Sequence, residues 1–76
     1  MIVRARLIKR KTDDGLMEVS DDIPLGQEYY VDYNTIQMVD CVYIATGQKH
    51  EKEMVQVYPH GYKWLPTELL EMLGAP

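Results

Sequence analysis

Gly61-Tyr62-Lys63-Trp64-Leu65-Pro66-Thr67-Glu68-Leu69-Leu70-Glu71-Met72-Leu73-Gly74 is the stretch whose reading decides the fold. Tyr62 and Trp64 share one face of a short strand, and Pro66 suits a first helical position, where its missing N–H is not needed. Glu68 falls in the first turn, favourable to the helix dipole. Leu65, Leu69, Met72 and Leu73 recur at one-turn spacing as an apolar stripe, and Gly74, with Pro76 just beyond, ends the element. The segment predicts a strand that passes directly into a helix of about two turns, too short to stand without packing on a barrel. Trp64 and Leu65 are expected to enter the core at the junction.

Upstream, the period is that of strands. Val3, Ala5 and Leu7 alternate with Arg4, Arg6 and Ile8 in a half-buried pattern, and Lys9-Arg10-Lys11 carries the strand into solvent as a charged edge. Asp13-Asp14-Gly15 is a turn, Leu16–Val19 a brief strand or the arm of a long loop, and Asp21–Gly26 loop and turn around Pro24. Residues 27–34 alternate clearly, with Tyr29, Val31 and Tyr33 on the core face and Glu28, Tyr30 and Asp32 on the other. Asn34-Thr35 reads as a tight connection into Met38–Thr46, a run with Asp40 as its only charge, expected at the centre of a sheet and covered on both faces. Residues 47–52 read as a charged hairpin loop, Met54–Tyr58 as a strand and Pro59-His60-Gly61 as a turn. Five short strands and a terminal helix make one mainly β domain over residues 1–76, a small barrel.

Composition narrows the chemistry. A chain of 76 residues buries only about 60–65% of its unfolded surface, which leaves little room for an enclosed substrate cavity. Cys41 is the only cysteine, so no intrachain disulfide and no multi-cysteine zinc site is expected. The first residues lack the apolar core of a signal peptide, and no run approaches the roughly 20 apolar residues of a membrane span. A soluble, cytoplasmic protein without membrane association is expected. The net charge of −4 is unevenly spread: Arg4, Arg6, Lys9, Arg10 and Lys11 fall in the first eleven residues, whereas residues 12–48 hold eight acids and no Lys or Arg. Either a basic edge strand is locally neutralised by acidic loops, or the surface is two-signed and orients a charged partner.

The five glycines lie too far apart for a phosphate-cradling loop. His50 and His60 fall in loops and Cys41 in an apolar strand. They read as two solvated imidazoles and a buried thiol rather than metal ligands or a nucleophile and base. Asp13-Asp14 and Asp21-Asp22 read as solvated turn residues. No cofactor and no metal is expected. The interaction candidates are Tyr30, Tyr58 and Tyr62, which could grip a peptide or stack on bases, together with Arg4 and Arg6. Trp64 is expected to anchor the core instead.

The segment Gly26-Gln27-Glu28-Tyr29-Tyr30-Val31, with Gly61-Tyr62-Lys63-Trp64-Leu65-Pro66-Thr67-Glu68-Leu69-Leu70, resembles the small SH3-like barrel proteins of phages and prophages over roughly residues 23–73. The resemblance implies a five-stranded SH3-like barrel and a phage or mobile-element setting, and it carries no catalytic residues to this chain. The function expected is a non-enzymatic protein-interaction module that binds a protein partner or its own copy. The alternatives are nucleic-acid binding through the basic first strand, which the negative net charge disfavours, and an acidic nucleic-acid mimic.

Overall fold

The computed structural model describes residues 1–59 and 63–75. Strands β1 (Ile2–Leu7), β2 (Glu28–Val42), β3 (Lys49–Tyr58), β4 (Lys63–Pro66) and β5 (Leu70–Gly74) form one antiparallel sheet in the order β4-β3-β2-β1-β5. The mainly β architecture agrees with the sequence reading, and so does the number of strands, but two of the expected strands are merged in β2 and the fifth strand stands where a helix was expected. Pro66 leads into a single 3-10 turn, Thr67–Leu69, and the chain then extends as β5.

The reason lies outside the segment. In a strand-paired β5, Leu7 pairs with Leu70, Arg6 with Glu71 and Ala5 with Met72, so the backbone groups on one edge of β1 gain partners. A two-turn helix would leave that edge bare. Ile8 N–H also donates to the Leu69 carbonyl at 2.9 Å. Leu69 and Leu70, consecutive in sequence, are both buried, at 0% and 7% exposure. One face of a helix would not bury both so completely. Tertiary pairing therefore overrides the helical propensity of a Leu- and Glu-rich stretch. It also makes β1 an interior strand, flanked by β2 and β5, where a charged edge was expected.

Alternation in β1 buries Val3, Ala5 and Leu7, and in β2 it buries Tyr29 and Val31. Val55 and Val57 of β3, Leu65 of β4, and Leu69 and Leu70 complete one core. Tyr33, expected inside, is exposed. The connection expected at Asn34-Thr35 is absent, because β2 runs through it as one strand. Asp32 pairs with Gln56 and Gln37 with Met54, so five steps along β2 face two along β3. Polar side chains satisfy the backbone that this irregularity opens. Asn34 N–H donates to Asp32 Oδ1 at 3.1 Å, Thr35 Oγ1 donates to the Asp32 carbonyl at 2.7 Å, and Thr35 Oγ1 accepts from Gln56 N–H at 3.0 Å.

Beyond that point Gln37–Val42 pairs, among the described residues, only with Lys49–Met54, a ribbon that is two-stranded past Met54, where β4 ends its pairing with β3. Its turn is closed by Tyr43 N–H on the Gln48 carbonyl at 2.9 Å, with Gly47 at φ 69° supplying a left-handed position that other residues adopt at a cost. The cover expected on both faces is not complete: Met38, Val42, Tyr43 and Ile44 are exposed, Ile44 at 96%. The charged loop expected at 47–52 is mostly strand, since β3 begins at Lys49.

The sheet curls. Edge strands β4 and β5 are four strand spacings apart, about 19 Å across a flat sheet, yet only Thr67–Leu69 separates them. The four residue steps from Pro66 to Leu70 reach at most about 14 Å. Among the described residues β4 and β5 do not pair, so the ladder remains open. The expected turn at Pro59-His60-Gly61 lies outside the described residues, save for Pro59. Among the described residues no helix is long and apolar enough to cross a membrane.

Candidate interaction surfaces

The register gathers three of the five candidates. Arg4 pairs with Tyr30 on β2, and Tyr30 pairs with Tyr58 on β3, which places all three in one row on the sheet face away from the core. Tyr30 is 48% exposed and Tyr58 half-buried. Arg4, Glu28, Tyr29, Tyr30 and Pro59 line a depression of about 310 Å³ at one end of this row. Burial pushes the Tyr29 phenol pKa up, so it stays a neutral hydroxyl at physiological pH. Arg6 lies two pairs further along β1, opposite Glu28, and Tyr62 lies outside the described residues.

Charge at the basic stretch is balanced nearby. Arg6 Nη2 meets Glu71 Oε1 at 2.7 Å, Arg4 Nη1 meets Glu28 Oε1 at 3.5 Å, and Arg10 Nε lies 3.9 Å from Asp21. Lys9 Nζ lies 2.7 Å from Asp13 and 3.2 Å from Glu68, and the Asp13 hydrogen bond does most to raise its pKa. Such exposed pairs add little stability, but they cancel the local field. The acids themselves are divided among the loop after β1, strands β2, β3 and β5, and the 3-10 turn.

Trp64 is the residue that sequence reasoning misplaced. It is 40% exposed, whereas its neighbour Leu65 is buried. Alternation in β4 permits only one of the two to face the core. Leu65 pairs with inward Val55, so Trp64, opposite Gln56, faces out. Gln37, Val39, Met54 and Trp64 line a second depression of about 390 Å³, and Met54 is the buried one of the four. The signal was present in the sequence: Trp64 and Leu65 are adjacent in a strand and cannot both point inward.

The ribbon has two unlike faces. On one, Asp40 sits directly opposite Glu51, flanked by the pairs Met38–Glu53 and Val42–Lys49, and all six residues are exposed. Like charges directly opposed destabilise a ladder. On the other face, Val39, Cys41, His50 and Lys52 are half-buried, because the loop between β1 and β2 lies against them. That loop folds on itself through the Lys11–Glu18 bridge and the bond from Thr12 N–H to the Met17 carbonyl. It touches the ribbon at two points: the Lys52 ammonium donates to Asp14, and Cys41 Sγ lies 3.9 Å from Met17 Sδ. Lys52 holds the Asp14 carboxyl well below the usual carboxylate range, helped by Thr12 Oγ1 and Leu16 N–H, and Asp14 in turn raises the Lys52 pKa. Cys41 and His50, read from sequence as a buried thiol and a loop imidazole, are half-buried register partners on neighbouring strands. His60 lies outside the described residues. Among the described residues no three of His, Cys, Asp and Glu converge as a metal-binding group.

Comparison of the chain with protein-family models, with curated proteins and with solved structures found no match.

Proposed function

We propose that this chain is an SH3-like barrel acting as a non-enzymatic protein-interaction module, one that receives an apolar side chain of a protein partner beside Trp64. The barrel reading is supported by the strand order, by the long loop between β1 and β2, and by the 3-10 turn that carries the chain between the two edge strands. A cytoplasmic, phage or mobile-element setting belongs to the same reading. The observation that carries the binding reading is Trp64 itself, 40% exposed beside a depression of about 390 Å³ that buried Met54 also lines. Trp and Met are enriched in the buried centres of protein interfaces, and a Trp set against a cleft is the usual form of an energetic hot spot. A methionine lining adapts its shape to what enters. Gln37 on the rim offers an amide to a peptide backbone.

The basic first strand gives less support to nucleic-acid binding. Four of the five cations in the first eleven residues stand next to carboxylates, which compete with phosphate for them.

The test is affinity capture with the full chain, repeated with Trp64→Ala, with Tyr30→Ala and with Arg4→Ala/Arg6→Ala, alongside light scattering and a salt titration against DNA. The expected result is a protein partner, or a second copy, retained by the arginine variant and lost with Trp64→Ala. Capture of nucleic acid that is lost with the arginine variant overturns the reading.

A further inference from the structure

We propose that Met17, Cys41 and His50 form a three-donor site for a soft monovalent metal ion, Cu(I). Three segments supply the donors. Cys41 and His50 are direct partners across β2 and β3, and antiparallel partners point to the same face with Cβ atoms about 4.5–5.5 Å apart. Met17 comes from the long loop and sets its Sδ 3.9 Å from Cys41 Sγ. All three residues are half-buried, shielded from bulk water yet open to a small ion.

The donor chemistry selects the ion. One thiolate, one thioether and one imidazole make a soft set, which favours Cu(I) over the hard cations that need carboxylate and carbonyl oxygens. Structural zinc sites use four ligands drawn from Cys, His and carboxylates, and a thioether does not complete one. The loop carboxylate that meets the ribbon, Asp14, is already engaged by Lys52.

Geometry agrees with the chemistry. An ion about 2.3 Å from each sulfur, as metal–sulfur bonds require, with a trigonal angle between them, places the two sulfurs about 4.0 Å apart. The observed separation of 3.9 Å meets this without moving the loop. Sulfur atoms in simple contact lie at a similar distance, so the third donor decides, and His50 is held opposite Cys41 by the ladder rather than by a loop. Binding is balanced as exchange of one proton for one ion: the Cys41 S–H bond breaks, the proton leaves to solvent, and the sulfur lone pair binds Cu(I) with no change of oxidation state. The ion would tie the loop to the ribbon at a point next to the Asp14–Lys52 contact.

The experiment is an anaerobic titration of the full chain with Cu(I) in competition with the chromophoric chelator bicinchoninate. The ultraviolet thiolate-to-copper band is recorded, and circular dichroism verifies that each variant is folded. One equivalent should bind the native chain. Cys41→Ser should abolish the band, and Met17→Leu and His50→Gln should each weaken binding by at least about tenfold, the lower end of what loss of even a supporting group costs at metal sites. The proposal fails if the native chain binds no better than Cys41→Ser. It also fails if either Met17→Leu or His50→Gln binds as tightly as the native chain, which would leave a simple thiol adduct.

Discussion

Replacing Leu70 by alanine and, separately, Leu73 by alanine distinguishes the strand from the helix it displaces. In β5, Leu70 pairs with Leu7 and is 7% exposed, so its truncation opens a cavity against the core. Buried Leu→Ala changes cost about 2–5 kcal/mol, and a site at the margin of the sheet belongs at about 2–3. A 76-residue chain has about 4–11 kcal/mol of stability in total, so the loss is large. It corresponds to a fall in Tm of about 10–20 °C, at about 4–8 °C per kcal/mol. Leu73 lies in the register irregularity between Met72 and Gly74 and is half-buried, so its truncation costs about 1 kcal/mol or less. A helix reverses this order. Its stripe of Leu65, Leu69, Met72 and Leu73 buries Leu73, while Leu70, about 100° from Leu69 around the axis, faces solvent, where alanine is the better helix former. Urea unfolding followed by Trp64 fluorescence and by circular dichroism measures both costs, and coincidence of the two probes verifies a two-state transition. A larger loss at Leu73 than at Leu70 refutes the strand pairing.

Asp14→Asn destabilises the chain at neutral pH. Because the folded Asp14 pKa is depressed, its contribution is full above the ordinary carboxylate value and fades as pH falls toward and through the folded one, so the difference between the two proteins should shrink steadily in acid; urea midpoints from pH 7 to pH 2 measure the decline. Glu51→Lys converts the Asp40–Glu51 opposition into an opposite-charge pair and should stabilise the ribbon by about 0.2–1 kcal/mol; calorimetry at low salt reads the gain, which should shrink in high salt. Gly47→Ala should cost about 1–2 kcal/mol through its φ of 69° alone, since no atom lies within 4 Å of an added Cβ. Gly47→Asn should cost less in the same thermal melt, because Asn tolerates the left-handed region.

How much of this was legible depended on how far each residue's determinant lay along the chain. Alternation within β1 and the first half of β2 needs only local pattern, and Val3, Ala5, Leu7, Tyr29 and Val31 are all buried as that pattern requires. The C-terminal segment is different. Its Leu spacing fits a helix and a turn-plus-strand equally, and the deciding term is the unpaired edge of β1, some sixty residues earlier. Asn34-Thr35 misled because polar residues in a row read as a turn. Here they supply side-chain bonds that let an irregular strand continue. Of the candidate residues, Tyr30 was correctly assigned to the outer face, and Arg4 joins it through the ladder. Cys41 was misread because an apolar run was equated with two-sided cover, whereas at Cys41 one face of the ribbon meets the long loop and the other meets solvent.

The ribbon is where stability and recognition compete. Two strands without a third are marginal in water, and this pair also carries opposed carboxylates and exposed Met38, Val42 and Ile44. Its support on the covered face is narrow, an ion pair at Asp14 and a sulfur contact at Met17. Both contacts come from one loop that returns to β2 close to Glu28, at the foot of the outer row formed by Arg4, Tyr30 and Tyr58. Whatever fastens that loop therefore steadies the ribbon bearing Gln37 and Val39, and with it one wall of the depression beside Trp64. Lys52 and Cys41 are thus the points at which acidity or a soft ion would reach the partner surface, although neither residue lines it. Local opening of weakly supported elements is the general route by which small domains couple a distant contact to binding. In this chain such a path would be short, because Val39 pairs directly with Lys52 and lies two residues from Cys41.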